Sequence, residues 1–222
     1  MGKALLPQAF WFRLSAPCPR VEEIPRRGAR GGLLDLPATC AVADLSSLED
    51  RVSWASVRIA WNPQGLGIAI LADAPASKAA RSVDRPEGFA DVNLWIDTRD
   101  TRNVSRATRF CHGFSAHLTL ARDRQSLDVE VSQRAIARAV ADAPISPPDV
   151  LSTRAELTRA GWLLELFLPA RALHGFDPET NRRLGFAYQV SDHEREDQFL
   201  GVGRDFPLGE NPSLWATLEL QP

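Results

Sequence analysis

The stretch Phe89–Asp97, FADVNLWID, alternates. In an extended chain Val92, Leu94 and Ile96 fall on one side, and Asn93 and Trp95 on the other. The same period of two recurs along most of the sequence, and it constrains the fold more than any motif does. SVRIAW puts Val57, Ile59 and Trp61 on one face, NPQG turns the chain through Pro63 and Gly65, and LGIAILAD returns with Leu66, Ile68 and Ile70. TRAELTRAGWLLELFLP reads as a second hairpin turning near Ala160–Gly161, and RLGFAYQVSD and PSLWATLEL supply two late strands. Roughly ten such strands with turn signals between them predict an all-β fold, a β-sandwich of two antiparallel sheets with little helix. SQRAIARAVADAP fits either a short helix ended by Pro144 or a continuation of the strand SLDVEV. APASKAARSVDRPEG and APISPPD read as exposed loops, and residues 1–45 as a loop-rich segment. No repeat or linker divides the chain, so one domain over residues 1–222 is expected.

Composition narrows the function classes. The 44% hydrophobic content can fill a core, yet no run approaches a membrane span. A net charge of −2 argues against nucleic-acid binding driven by phosphate contacts. In MGKALLPQAFWFRL, Pro7, Gln8 and Arg13 interrupt any apolar leader, and Leu6 stands where myristoylation wants Ser or Thr. A soluble protein, cytoplasmic by default, is the expectation. Nearly all of the 26 basic residues are arginine, which pairs bidentately with carboxylates and stacks on rings. Cys18, Cys40 and Cys111 are odd in number and widely spaced, so no disulfide framework or zinc knuckle is legible. Reduced, buried thiols are expected; a Cys18–Cys40 bridge stays open for an exported protein.

No catalytic constellation stands out. There is no nucleophile elbow, no P-loop and no recognisable Cys–His system. Cys111 and His112 adjoin in RFCHGF, but on a strand they point to opposite faces. His112 shares its face with Phe110 and Phe114, and His117 falls on the other face. Glu165 interrupts WLLELFLP, where both faces are apolar, so its carboxylate is expected to be part-buried and salt-bridged to an arginine. Trp11, Trp54, Trp61, Trp162 and Trp215 sit in apolar, strand-like settings and read as core or near-core.

The motifs GLGIAILADA, DVNLWIDTRD, GWLLELFLPARAL, RLGFAYQVSD and PSLWATLEL come in an order and spacing that resemble carbohydrate-binding module family 9-like domains, and more widely the DOMON-like sandwiches. The resemblance spans roughly residues 45–220. It implies a β-sandwich, saccharide binding in the best-known members and structural calcium in some. Asp73, Asp91, Asp97 and Asp192 match acidic positions at strand ends in that pattern, and strand-end carboxylates with nearby carbonyls suit a hard cation. Structural calcium at Asp73, Asp97 and Asp192 is therefore an expectation of the resemblance. The aromatic clamp of the sugar-binding members has no residue-by-residue counterpart. A haem-carrying DOMON domain is a rival, although its Met/His ligation would have to draw on Met1, the only methionine. An interaction or scaffold domain without a small ligand is a third.

The residues that could meet a ligand cluster after Asp91. An indole at Trp95 stacks on a sugar ring, and the Asn93 amide bonds its hydroxyls. Arg99, Arg102, Arg106 and Arg109 are spaced so that a helical turn would line them along one face; they read either as a solvated connection between two strands, pinned by pairs with Asp97 and Asp100, or as a basic edge that would meet an acidic ligand. Asn93, Trp95, Arg99, Arg109 and His112 are the ligand-binding candidates, with a saccharide or other small polar molecule as partner and a protein partner as the alternative. The expected role is non-catalytic, with no haem.

Overall fold

The computed structural model describes residues 6, 8–26, 31–73, 88–123, 125–192 and 195–222. Among them are eleven strands, six short 3-10 helices and no α-helix. The strands are β1 (Ser15–Cys18), β2 (Ala55–Asn62), β3 (Gly65–Ala72), β4 (Ala90–Asp97), β5 (Cys111–Leu120), β6 (Leu127–Arg134), β7 (Ser152–Leu157), β8 (Trp162–Pro169), β9 (Arg183–Asp192), β10 (Arg195–Phe199) and β11 (Ala216–Leu220). They form two sheets, as the alternation predicts. The larger has the order β1-β11-β9-β4-β5-β6, with β10 also paired to β9; the smaller has the order β2-β3-β8-β7. Every pairing is antiparallel except β1 with β11.

The hairpins close as the turn residues dictate. The side chain of Asn62 accepts the N–H of Gln64 at 2.9 Å and so closes the Pro63–Gln64 turn. Gly65 follows at φ +152, and a Cβ there would stand 2.1 Å from the Leu168 carbonyl oxygen. Only glycine lets β3 come this close to β8. The segment 132–144 resolves as strand to Arg134 and no helix after it. The expected loop at 74–88 lies outside the described residues except for Gly88.

The main core lies between the sheets. Val92, Leu94 and Ile96 from β4 meet Val57, Ile59 and Trp61 from β2 and Ile68 and Ile70 from β3 in one buried cluster. Alternation turns each apolar set inward and its polar neighbours outward. Two satellite cores cover part of the outer faces. On the smaller sheet, Ile24, Leu34, Leu36 and Cys40 of the N-terminal segment pack on Ala60, Ala69 and Phe167. On the larger, Val202, Leu208 and Trp215 pack on Ala107, Cys111, Ile136 and Ala187, with Trp95 at the border.

Glu165 explains how the N-terminal segment is held. Its carboxylate accepts three backbone N–H groups, from Leu33 at 2.7 Å, Leu34 at 3.0 Å and Asp35 at 2.8 Å. Among the described residues no arginine pairs with it: Arg154, its cross-strand neighbour, pairs with Glu156 instead. A buried carboxylate needs charge-assisted donors, and a turn that points successive amides at one spot supplies them. Trp61, Trp162 and Trp215 are buried as expected, whereas Trp11 is 69% exposed beside Phe10 and Phe12. Trp11 sits on a short 3-10 turn, not on a strand, so no sheet neighbour covers it.

Candidate functional site

The outer face of the larger sheet is where polar side chains gather. Registers across β9, β4, β5 and β6 line them up in rows. One row reads Ser191, Asp91, His117, Glu130; the next Gln189, Asn93, Ser115, Ser132; the third Ala187, Trp95, Gly113, Arg134. The first two rows floor a groove of about 590 Å³, which Arg134, Asp192, Asp197 and Arg204 close at its rim. Cross-strand neighbours stand about 5 Å apart and rows about 7 Å apart, so each row presents a short line of hydrogen-bonding groups.

Hydrogen bonding within the groove is unevenly satisfied. The Gln189 amide donates to Ser191 Oγ at 3.1 Å and to Asp197 Oδ2 at 2.7 Å. Arg204 Nε donates to the same Asp197 oxygen at 2.5 Å. These bonds fix the Gln189 amide, and its carbonyl oxygen accepts no hydrogen bond among the described residues. Asn93, in the middle of the floor, has neither its amide N–H₂ nor its carbonyl engaged among the described residues. His117 is held at both nitrogens: Nδ1 contacts Asp91 Oδ1 at 2.7 Å, and Nε2 faces the N–H of Gly88 at 3.0 Å. A backbone N–H can only donate, so Nε2 carries no proton and Nδ1–H donates to Asp91. Gly88 must be glycine here, since a Cβ would stand 2.4 Å from the Leu118 carbonyl oxygen and 2.5 Å from the His117 ring.

The structure separates the five candidate ligand residues. Asn93 is in the groove floor. Trp95, two positions along the strand, is half-buried at the border of the satellite core of Val202, Leu208 and Trp215. Gly209 lies against its indole, so that a Cβ there would be 3.1 Å from Cζ2. Arg99 and Arg109 are at the strand's end, where both guanidinium groups stack on Phe110, at 5.0 and 5.2 Å from the ring centre. The His174 ring also stacks on Phe110, at 5.3 Å between ring centres. The arginines do not share a helical face: Arg102 pairs with Asp100, and Arg106 donates to the Arg138 carbonyl. His112 is 1% exposed and points into the core end of the sandwich. Its Nε2 meets the His174 carbonyl at 3.2 Å and its Nδ1 meets the Gln133 amide at 3.1 Å, while burial pushes its pKa down to about 4. It is a neutral structural histidine.

The three aspartates expected to hold calcium do not converge. Asp97 is opposite Gly185 at one end of β9, and Asp192 is opposite Ala90 at the other. That separation is roughly 23 Å along the strand. Asp73 follows β3 in the other sheet. Asp97 is fully buried and its oxygens accept the N–H groups of Arg99 at 2.9 Å and Thr101 at 2.6 Å. It caps the turn after β4, with burial raising its pKa. The donor set does not fit a shared calcium ion, and among the described residues no group of three or more His, Cys, Asp or Glu is placed to hold a metal.

Sequence reasoning missed most of the groove. His117, Gln189, Ser115, Ser132, Glu130 and Asp197 all sit on outward positions of alternating strands, which is a signal the sequence carries. Which strands are neighbours is what it does not carry, and a row exists only when four strands lie side by side.

Fold and groove together define an all-β sandwich with a polar cleft on one outer face. The fold is similar to that of solved carbohydrate-binding modules of family 9. One similar structure is a family 9 module from Caldicellulosiruptor kristjanssonii in complex with cellotriose, at 15% identity and a TM-score of 0.50, covering 75% of this chain and 74% of that one. Another is a family 9 module of the same organism in complex with glucose, at 14% identity and a TM-score of 0.51, covering 75% of this chain and 76% of that one. No family model matches the sequence, and no curated protein does. Among the described residues no helix is long and apolar enough to cross a membrane.

Proposed function

We propose that this chain is a non-catalytic carbohydrate-binding domain that holds a saccharide, or another small polyhydroxylated molecule, in the groove over β9, β4, β5 and β6. The observation that carries the reading is the Asn93 amide, unengaged at the centre of a polar groove of about 590 Å³. A cleft of that volume is in the range that encloses small ligands. The pre-set Gln189 carbonyl and the Ser115 hydroxyl stand beside Asn93 in the same row. Donors and acceptors alternating at strand spacing match vicinal hydroxyl groups, and rigid strands hold them without a loop having to order. The similar fold of modules solved in complex with cellotriose and glucose supports the same ligand class.

The test is a glycan array with the full chain, followed by titration calorimetry of the best ligand against Asn93→Ala and Gln189→Ala. Either substitution should weaken binding about tenfold or more, the scale of one or two hydrogen bonds in a desolvated site. Circular dichroism should show both variants folded. A ligand whose affinity neither substitution changes binds elsewhere and sinks the assignment.

A further inference from the structure

The groove is electrically uneven along its length. Its first row holds Asp91 and Glu130 on either side of His117. His117 does not neutralise them: with the Gly88 N–H donating into Nε2, the ring is uncharged, and Asp91 keeps its negative charge while accepting Nδ1–H. Glu130 is exposed and has no bonded partner among the described residues. The other acids of the groove are matched, Asp197 by Arg204 and Asp192 by Arg195. Arg134 stands opposite Gly113, four residues along β5 from His117, or roughly 13 Å. The groove thus has a negative end, a row of amides and hydroxyls, and a distant guanidinium.

We propose that the ligand of this groove is an amino sugar with a free amine, seated with its ammonium over the Asp91–His117–Glu130 row and its hydroxyls on Asn93 and Gln189. The proposal rests on the groove being the ligand site. A uronate would be repelled by the two carboxylates, and a neutral sugar would leave them unused. A bare metal ion does not fit, because Asp91 and Glu130 are on strands two spacings apart, about 10 Å, and His117 Nε2 is already occupied. An ammonium on a polyhydroxylated ring gains from both carboxylates at once without having to be enclosed by them.

Calorimetry at pH 7 with four disaccharides tests this: the glucosamine disaccharide with free amines, its N,N′-diacetyl form, cellobiose and digalacturonic acid. The free-amine disaccharide should bind about tenfold or more tighter than the diacetyl form and cellobiose, with digalacturonic acid weakest, and the preference should shrink at high salt. Glu130→Gln and Asp91→Asn should each remove most of that preference, read as the ratio of free-amine to diacetyl affinity within each variant. Equal binding of the free-amine and diacetyl forms, tighter binding of digalacturonic acid, or a preference that survives both substitutions would overturn the amino-sugar assignment. If cellobiose binds and Asn93→Ala abolishes it while no amine preference exists, the groove reading stands and this inference falls. If none of the four binds, both fall.

Discussion

The carboxylate of Glu165, on β8, accepts the backbone N–H of Leu34 at 3.0 Å across 131 residues of chain. With the neighbouring bonds from Leu33 and Asp35 it fastens the N-terminal segment to the outer face of the smaller sheet. The apolar residues Ile24, Leu34 and Leu36 then complete a satellite core that the sheet cannot build alone.

Removing that anchor should therefore loosen the segment selectively. Glu165→Leu leaves three amide donors without an acceptor and should cost about 3–5 kcal/mol, while Glu165→Gln, which keeps one oxygen acceptor, should cost about half as much. Urea unfolding gives the magnitudes. Limited trypsin digestion should show faster cleavage at Arg26 in the leucine variant. Equal stability of wild type and Glu165→Leu would rule out the anchoring role.

His112 should make the fold acid-sensitive. Its pKa falls from 6.5 in the unfolded chain to about 4 in the folded one, chiefly through burial. The folded state therefore binds this proton less readily, and stability rises with pH across that window. The contribution is fully present above about pH 6.5 and is lost as pH falls toward about 4, with a magnitude on the order of 3 kcal/mol. His112→Phe should flatten the slope of stability against pH between these limits, because Gln133 keeps its bond to the Pro144 carbonyl and the His174 carbonyl keeps Thr98. Thermal melts at pH 4.5, 5.5, 6.5 and 7.5 on both proteins check it; parallel curves would show that His112 is not the titrating group.

Trp61 and Trp162 offer a matched pair. Both are buried in the main core, but Trp61 Nε1 donates to the Gln221 carbonyl at 2.9 Å, and Trp162 Nε1 is buried without a partner among the described residues. Replacing each by phenylalanine removes similar volume. Trp61→Phe also breaks a hydrogen bond and the contacts with Arg20 and Arg182, whereas Trp162→Phe relieves an orphaned donor. Trp61→Phe should cost about 1–2 kcal/mol more than Trp162→Phe in chemical denaturation. The reverse order would mean that the Trp162 indole is satisfied in solution.

Alternation alone was enough to give both sheets' inward faces: Val57, Ile59 and Trp61, then Val92, Leu94 and Ile96, all pack where their period of two puts them. It also put His112 and His117 on opposite faces, and Asn93 on the outward one. This information is local, because the pleat decides the face of a side chain from its position in its own strand. The same local reasoning over-reached at Trp11 and at the arginines. There the assumed strand or helical turn was absent, and exposure followed from irregular backbone.

Only the tertiary structure decided what those faces meet. β9 and β5 flank β4 although 85 and 13 residues (98–182 and 98–110) lie between the nearest strand ends, Val190 opposite Val92 on one side and Ala116 on the other. That adjacency, invisible in a linear pattern, turns scattered polar residues into the rows of the groove. It also decided that Asp97 and Asp192 lie at opposite ends of one sheet with Asp73 in the other, and that Gly209 lies against Trp95. A strand carries its own period, but its partner is set by the packing of the whole chain, since every long-range pairing is stabilised only once the shared core between the sheets has closed.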